Sequence, residues 1–194
     1  PEADLLLHAG DICPDFFPRT PIGSTLQASW MMKKLLPYVG GTNMKATLGN
    51  HDFLSRHDIP KCVKIDTLFE RDGLKIWFSP WSNDFCVWAW MRPAADLKAY
   101  YESIPPCDII VSHGPPYGYG DRVPDRFLIG GREHEDPHVG SHELLAAIDR
   151  IKPKVVICGH IHAGFGVYNH NSVTTIYNVS LLDDDYKRVR NPVE

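Results

Sequence analysis

Short apolar runs recur along the chain, and polar residues stand at the same place behind each of them. Leu5-Leu6-Leu7 leads through His8-Ala9-Gly10 to Asp11, Lys45 to Leu48 leads to Gly49-Asn50-His51-Asp52, and Asp108 to Ser112 leads to His113. Val155-Val156-Ile157-Cys158 leads in the same way to Gly159-His160-Ile161-His162, while Lys75 to Ser79 runs into Pro80 and a Trp-rich loop. Each run reads as a buried strand that discharges into a loop. Val173 to Ser180 is the last such run, and Asp183-Asp184-Asp185 behind it reads as the start of a polar tail.

Helical periodicity fills the intervals. Leu26, Trp30, Met31 and Leu35 predict an amphipathic helix from about Ser24 to Tyr38, ended at Pro37. Leu97, Tyr101 and Ile104 predict a second helix between Pro93 and Pro105-Pro106. A third is capped by Ser141, carries Leu144, Ile148 and Ile151 on one face, and stops before Pro153. Alternating strands and helices predict an α/β fold, with residues 1–194 as one domain. In open α/β sheets ligand-binding groups gather beyond the carboxyl ends of the strands, which is where these polar motifs fall.

Composition narrows the function. With 20 basic and 24 acidic residues and no Lys/Arg-rich block, the chain lacks the footprint of a long nucleic-acid groove. No apolar run reaches the roughly 20 residues of a membrane helix. A small-molecule substrate is expected. Five scattered cysteines without a C-x-x-C pair argue for a reducing, cytoplasmic setting rather than a disulfide framework. Cys13 reads as a buried side chain.

Asp11, Asn50, His113, His160 and His162 supply oxygen and imidazole donors, the mixed set that suits Mn, Fe, Zn, Ni or Co. Gly10-Asp11, Gly49-Asn50-His51-Asp52, Ser112-His113-Gly114 and Gly159-His160-Ile161-His162 resemble, in this order, the signature of the calcineurin-like metallophosphoesterases. Ser79-Pro80-Trp81, His113-Gly114-Pro115-Pro116, the continuation Ala163-Gly164-Phe165-Gly166 and Asn178-Val179-Ser180 look like the small branch of brain cyclic-nucleotide phosphodiesterases and their bacterial and phage relatives.

The resemblance implies a four-layer αββα sandwich of two mixed β-sheets flanked by helices, with two divalent ions at one edge. Asp11 would bridge the ions, Asn50, His113 and His160 would complete one site, and His162 would serve the other. His51 would stand beside the scissile phosphate as the group that protonates the leaving oxygen, oriented by Asp52. The implied reaction is hydrolysis of a small phosphodiester, cyclic nucleotides first, by metal-activated hydroxide; a phosphomonoesterase, a nuclease or a non-catalytic binding module are the alternatives. The family also carries an Asp-x-His motif on its first strand, and no Asp-x-His precedes Asp11. The chain is therefore expected to lack that strand, to hold one better-formed metal site, and to be poorly active by itself.

The remaining candidates are weaker. Trp81, Phe85, Tyr117 and Tyr119 are candidates for a substrate wall, with most of the other aromatics assigned to the core, and Arg122 or Arg132 for a phosphate contact. Glu133-His134-Glu135-Asp136 with His138 and His142 looks like a metal cluster, but a solvated loop is the better reading because adjacent side chains diverge.

Overall fold

The structure is a computed structural model that describes residues 3–38, 43–124 and 136–193. Strands β1 (Leu6–His8) and β2 (Met44–Ala46) form a parallel pair. Helix α1 (Pro21–Trp30) lies between them in the chain and continues through a π-helical stretch, Met31–Leu35, into the short α2 (Leu36–Tyr38).

A six-stranded sheet follows, built from β3 (Thr67–Arg71), β4 (Leu74–Ser79), β7 (Ile109–Ser112), β8 (Val155–Cys158), β9 (Gly166–His170) and β10 (Thr174–Asn178). Its order is β3-β4-β7-β8-β10-β9; the outermost pairs are antiparallel and the inner four strands parallel. A small parallel pair, β5 (Ser82–Asn83) and β6 (Met91–Arg92), brackets the Trp-rich loop. Helices α3 (Ala94–Glu102) and α4 (His142–Ile151) complete the elements used below.

Three apolar clusters define the layers. Leu97, Tyr101, Leu144 and Ile148 of α3 and α4 pack with Ile110, Val156 and Ile176 on one face of the large sheet. Ile76, Phe78 and Val111 on its other face meet Ala9, Leu5 and Leu7 from the β1 segment. Met44, Ala46 and Leu48 from β2 then pack with Met31, Ala28 and Trp30 of the first helical run. The stack is helix, sheet, sheet, helix, so the expected αββα sandwich is present. The six-stranded sheet is mixed, and the second sheet among the described residues is the parallel pair β1 and β2.

Local details follow the chain chemistry. Ser141 caps α4 by accepting the Leu144 amide at 3.1 Å. Thr20 does the same for α1 through the Gly23 amide, with Pro21 at the first helical position. The phase of α1 differs from the expected one: Leu26 is exposed, while Ser24 and Gln27 are buried. Those polar residues face inward because each has a partner, Asp58 for Ser24 and the His51 carbonyl for Gln27. The residues after Leu181 form a hairpin rather than a free tail, with Leu182 bridging Arg188 and the Val189 amide reaching the Leu181 carbonyl at 3.2 Å.

Candidate metal centre

Asp11, Asn50, His113 and His160 stand on loops that leave β1, β2, β7 and β8 at the same edge of the sandwich. Donor atoms of Asp11, His113 and His160 all lie within 4.8 Å of one another. Asn50 sits among them: its Oδ1 is 2.9 Å from His113 Nε2 and 2.8 Å from His160 Nδ1. Asp11 Oδ2 is 3.4 Å from His113 Nε2.

This packing demands small neighbours. A Cβ on Gly49 would fall 2.3 Å from Asp11 Oδ1, and one on Gly10, which has φ +94°, would fall 2.6 Å from His113 Nδ1. Asp11 and His160 themselves adopt φ of 52° and 68°, left-handed conformations that cost about 1–3 kcal/mol each and mark functional sites.

The donor set fits a divalent ion. His113 Nδ1 lies 2.8 Å from the Ala9 carbonyl, which only an N–H can satisfy. In a neutral ring the Nε2 lone pair then faces Asn50 Oδ1 and the Asp11 carboxylate, a cluster of acceptors that a cation resolves. An imidazole tied through one nitrogen to a carbonyl while the other faces the site is the usual ligand arrangement. Burial, reinforced by His113, pushes His160 down to about 3, and His113, His51 and His160 hold Asp11 below the usual carboxylate range against the effect of its own burial. Neutral imidazole and ionised carboxylate are the ligating forms.

His162 lines the same cleft but is not among the donors that lie within 4.8 Å of one another. Its Nδ1 hydrogen-bonds the Asp183 carbonyl at 2.8 Å, a contact that presents Nε2 outward. His51 donates its backbone N–H to Asp11 Oδ1 at 2.9 Å and packs at a tilt of 53° against Trp88, with ring centroids 4.5 Å apart. The expectation that Asp52 orients the His51 ring is not met. The Asp52 carboxylate is fully buried and accepts the amides of Ile12, Cys13 and Gly49 at 2.8–3.1 Å, locking the Asp11 loop to the Asn50 loop. Burial and the nearby Asp11 push it up to about 7. The carboxylate beside His51 is Asp15, whose Oδ1 lies 3.3 Å from Nδ1.

The centre forms the floor of a cleft of about 700 Å³. Trp81 and Phe85 line it, together with Trp88 and Tyr186. Tyr117 and Tyr119 do not. Tyr117 stacks on His142 at 3.8 Å and donates to Asp136, while Tyr119 pairs with His170 Nδ1 at 2.8 Å. Arg122 is exposed and does not line the cleft; Arg132 lies outside the described residues, as do residues 133–135 of the acidic-histidine segment. In the rest of that segment His138 binds the buried Asp121 at 2.6 Å, and the same carboxylate accepts the Gly118 and Gly140 amides.

Two fastening residues carried no clear sequence signal for their role. Asp121 is one. Asn178 is the other: fully buried, its Nδ2 reaches the carbonyls of Gly120 and Ile161 at 2.7 and 2.9 Å and so sets the loop that carries His160. Asn178 stands in the Asn178-Val179-Ser180 run noted in the sequence, but nothing local to the chain names the carbonyls it binds.

A carboxylate, an amide and imidazoles gather at the strand edge of an αββα sandwich, a donor set that suits a divalent metal ion. The model of the calcineurin-like phosphoesterase family matches residues 1–164, and the chain belongs to that family. Membership implies divalent metal ions. The chain is 34% identical over 124 residues to human metallophosphoesterase domain-containing protein 1, a match covering 62% of this chain and 35% of that protein. A UPF0046 protein of Caenorhabditis elegans is 24% identical across 100% of this chain and 72% of its own length. Solved structures share the fold: one crystal structure superposes with a TM-score of 0.61 at 17% identity, over 91% of this chain and 79% of its own. The TT1561 protein of Thermus thermophilus gives 0.52 at 15% identity, over 92% and 77%. The chain spans about a third of the length of the first curated relatives it matches. No helix among the described residues is long and apolar enough to cross a membrane.

Proposed function

We propose that the protein hydrolyses a small phosphodiester, with cyclic nucleotides the leading substrate class, using two divalent ions at the strand edge. The observation that supports this reading is the gathering of Asp11, His113 and His160 donor atoms within 4.8 Å of one another, with Asn50 Oδ1 among them. The cleft's charged lining among the described residues adds to it: Asp11, Asp84, Asp136 and Asp184 are acidic, so a phosphate anion enters favourably only against bound cations.

Asp11, Asn50, His113 and His160 would hold one ion, and Asp11 with His162 would face the other. Bound divalent ions supply Lewis-acid charge for the phosphoryl oxygens and lower the pKa of water toward about 7. The chain's own residues do the rest. His51, held by its backbone to Asp11 and Gln27 and flanked by Trp88, offers an imidazole proton to the departing oxygen. Trp81, Phe85 and Trp88 confine the ester group and exclude water from it. The five cysteines are free thiols, which supports the reducing, cytoplasmic setting.

The test is a substrate panel on the purified protein with added Mn, then with a chelator. Bis-p-nitrophenyl phosphate and cyclic nucleotides should turn over at least about tenfold faster than p-nitrophenyl phosphate, and the chelator should abolish both rates. Faster turnover of the monoester would make the protein a phosphomonoesterase. Absence of turnover together with absence of Mn binding would leave a binding module.

A further inference from the structure

The C-terminal hairpin lies beyond residues 1–164, the span that the family model matches, yet it reaches the metal edge. Asp183 anchors it from both sides: its carbonyl accepts His162 Nδ1 and the Tyr186 amide, and its Oδ1 accepts the Asp185 and Lys187 amides, each at 2.9 Å. Arg190 fastens the other strand of the hairpin, donating to the Leu182 carbonyl at 2.6 Å and to the Ser180 carbonyl at 3.2 Å. The turn so formed holds Tyr186 at φ 60°, a left-handed conformation that non-glycine residues adopt only when their surroundings enforce it.

The enforced conformation aims the Tyr186 ring into the cleft. Its centroid lies 5.3 Å from that of His162 and 5.9 Å from that of His51, with interplanar angles of 87° and 78°. It therefore stands against two cleft imidazoles, that of His162 and the one assigned to the leaving oxygen. Trp88 also packs against His51, at 4.5 Å, and Phe85 stands 5.9 Å from His160. Tyr186, Trp88 and Phe85 thus all line the cleft that holds the proposed ligands. Tyr186 is 60% exposed, so its ring is free to be covered by a ligand.

We propose that Tyr186, placed by the C-terminal hairpin, is a specificity-determining residue that packs a planar ring carried by the substrate, such as a nucleobase, beside the phosphoester. This rests on the phosphodiesterase reading above. A rigid aromatic wall binds flat groups with little loss of side-chain entropy and tolerates different bases, because every base presents a π-face.

The test compares 2′,3′-cyclic AMP with glycerol 1,2-cyclic phosphate, which has the same strained ring and no base, on the Mn-loaded wild type, Tyr186→Ala and Tyr186→Phe. Tyr186→Ala should lower kcat/KM for the cyclic nucleotide about tenfold, through KM, and leave the glycerol ester within about twofold; Tyr186→Phe should behave as wild type. Calorimetric titration with AMP and with inorganic phosphate reads the same wall without turnover: Tyr186→Ala should weaken AMP about tenfold and leave phosphate unchanged. Equal losses on both esters, or an unchanged AMP affinity, overturn the proposal. If the wild type hydrolyses neither ester while the loss of AMP affinity in Tyr186→Ala persists, the wall stands and the hydrolytic reading falls. If both esters turn over and their ratio is unmoved by Tyr186→Ala, the hydrolytic reading stands and the wall falls.

Discussion

Asn50 and His113 stand beside Asp11 on loops anchored by backbone groups and buried polar side chains, and the His51 backbone shares that anchoring, whereas the His51 ring and His162 have as partners a half-exposed carboxylate and a hairpin turn. On the closed half, His113 is tied to the Ala9 carbonyl, its own carbonyl accepts the Gly159 amide, and Asp52 and Asn178 fasten the flanking loops. On the open half, His162 depends on Asp183, and His51 has beside it Asp15, whose side chain is 49% exposed. Buried anchors work in a low dielectric where each is hard to replace; exposed ones compete with water. One edge of one sandwich thus combines a preformed half, suited to holding an ion, with an adaptable half, suited to receiving different ester groups.

The largest effect should come from the residue that both halves share. Asp11→Ala removes the carboxylate beside His113 and the acceptor of the His51 amide. Metal content after dialysis should fall to background, and kcat/KM on bis-p-nitrophenyl phosphate should drop about a thousandfold, the loss of several kcal/mol of charge stabilisation. Wild-type metal content in this variant would break the assignment of Asp11 to the shared position.

His162→Ala should act on one half only. His162 bonds none of the closed-half donors described above; its Nδ1 partner is Asp183. The variant should keep its tighter ion while kcat/KM falls about a hundredfold, the scale for removing one preorganised group that faces the developing charge. Metal stoichiometry by plasma mass spectrometry separates this outcome from the first. Loss of all metal would show that the two halves are one cooperative site and that the division drawn above is wrong.

The polar residues at the strand exits, His51 and His162 among them, were legible in the sequence, and the groups that fasten them were not, for a physical reason. Asp11, Asn50, His113 and His160 each follow a short apolar strand, and a buried strand with a polar exit is a pattern local to the chain. The partners that organise them are remote: Asp52 bonds amides of residues 12, 13 and 49, and Asn178 bonds the carbonyls of residues 120 and 161. No periodicity encodes such pairings. Edge strands β3 and β9 also lack the apolar run of the inner strands; Thr67–Arg71 carries two charged residues, and Gly166–His170 ends in Asn169 and His170. The hairpin that delivers Tyr186 begins with three aspartates, a composition that locally reads as solvent-loving. Its conformation depends on His162 and Arg190 side chains finding its carbonyls, which is tertiary information.

Asp15→Asn should give the smallest effect and the finest measure of how adaptable the open half is. Asp15 lies 3.3 Å from His51 Nδ1, and its side chain is 49% exposed against 11% for the histidine. An ion pair in that setting contributes at most about 1 kcal/mol, so kcat/KM should fall by less than about fivefold at low ionic strength. The difference from wild type should shrink further at roughly 1 M salt, where the screening length is about 3 Å. A salt-insensitive loss beyond about thirtyfold would carry the opposite meaning. Asp15 would then be orienting the imidazole as a buried carboxylate does, and His51 would belong with the rigid half of the edge rather than the adaptable one.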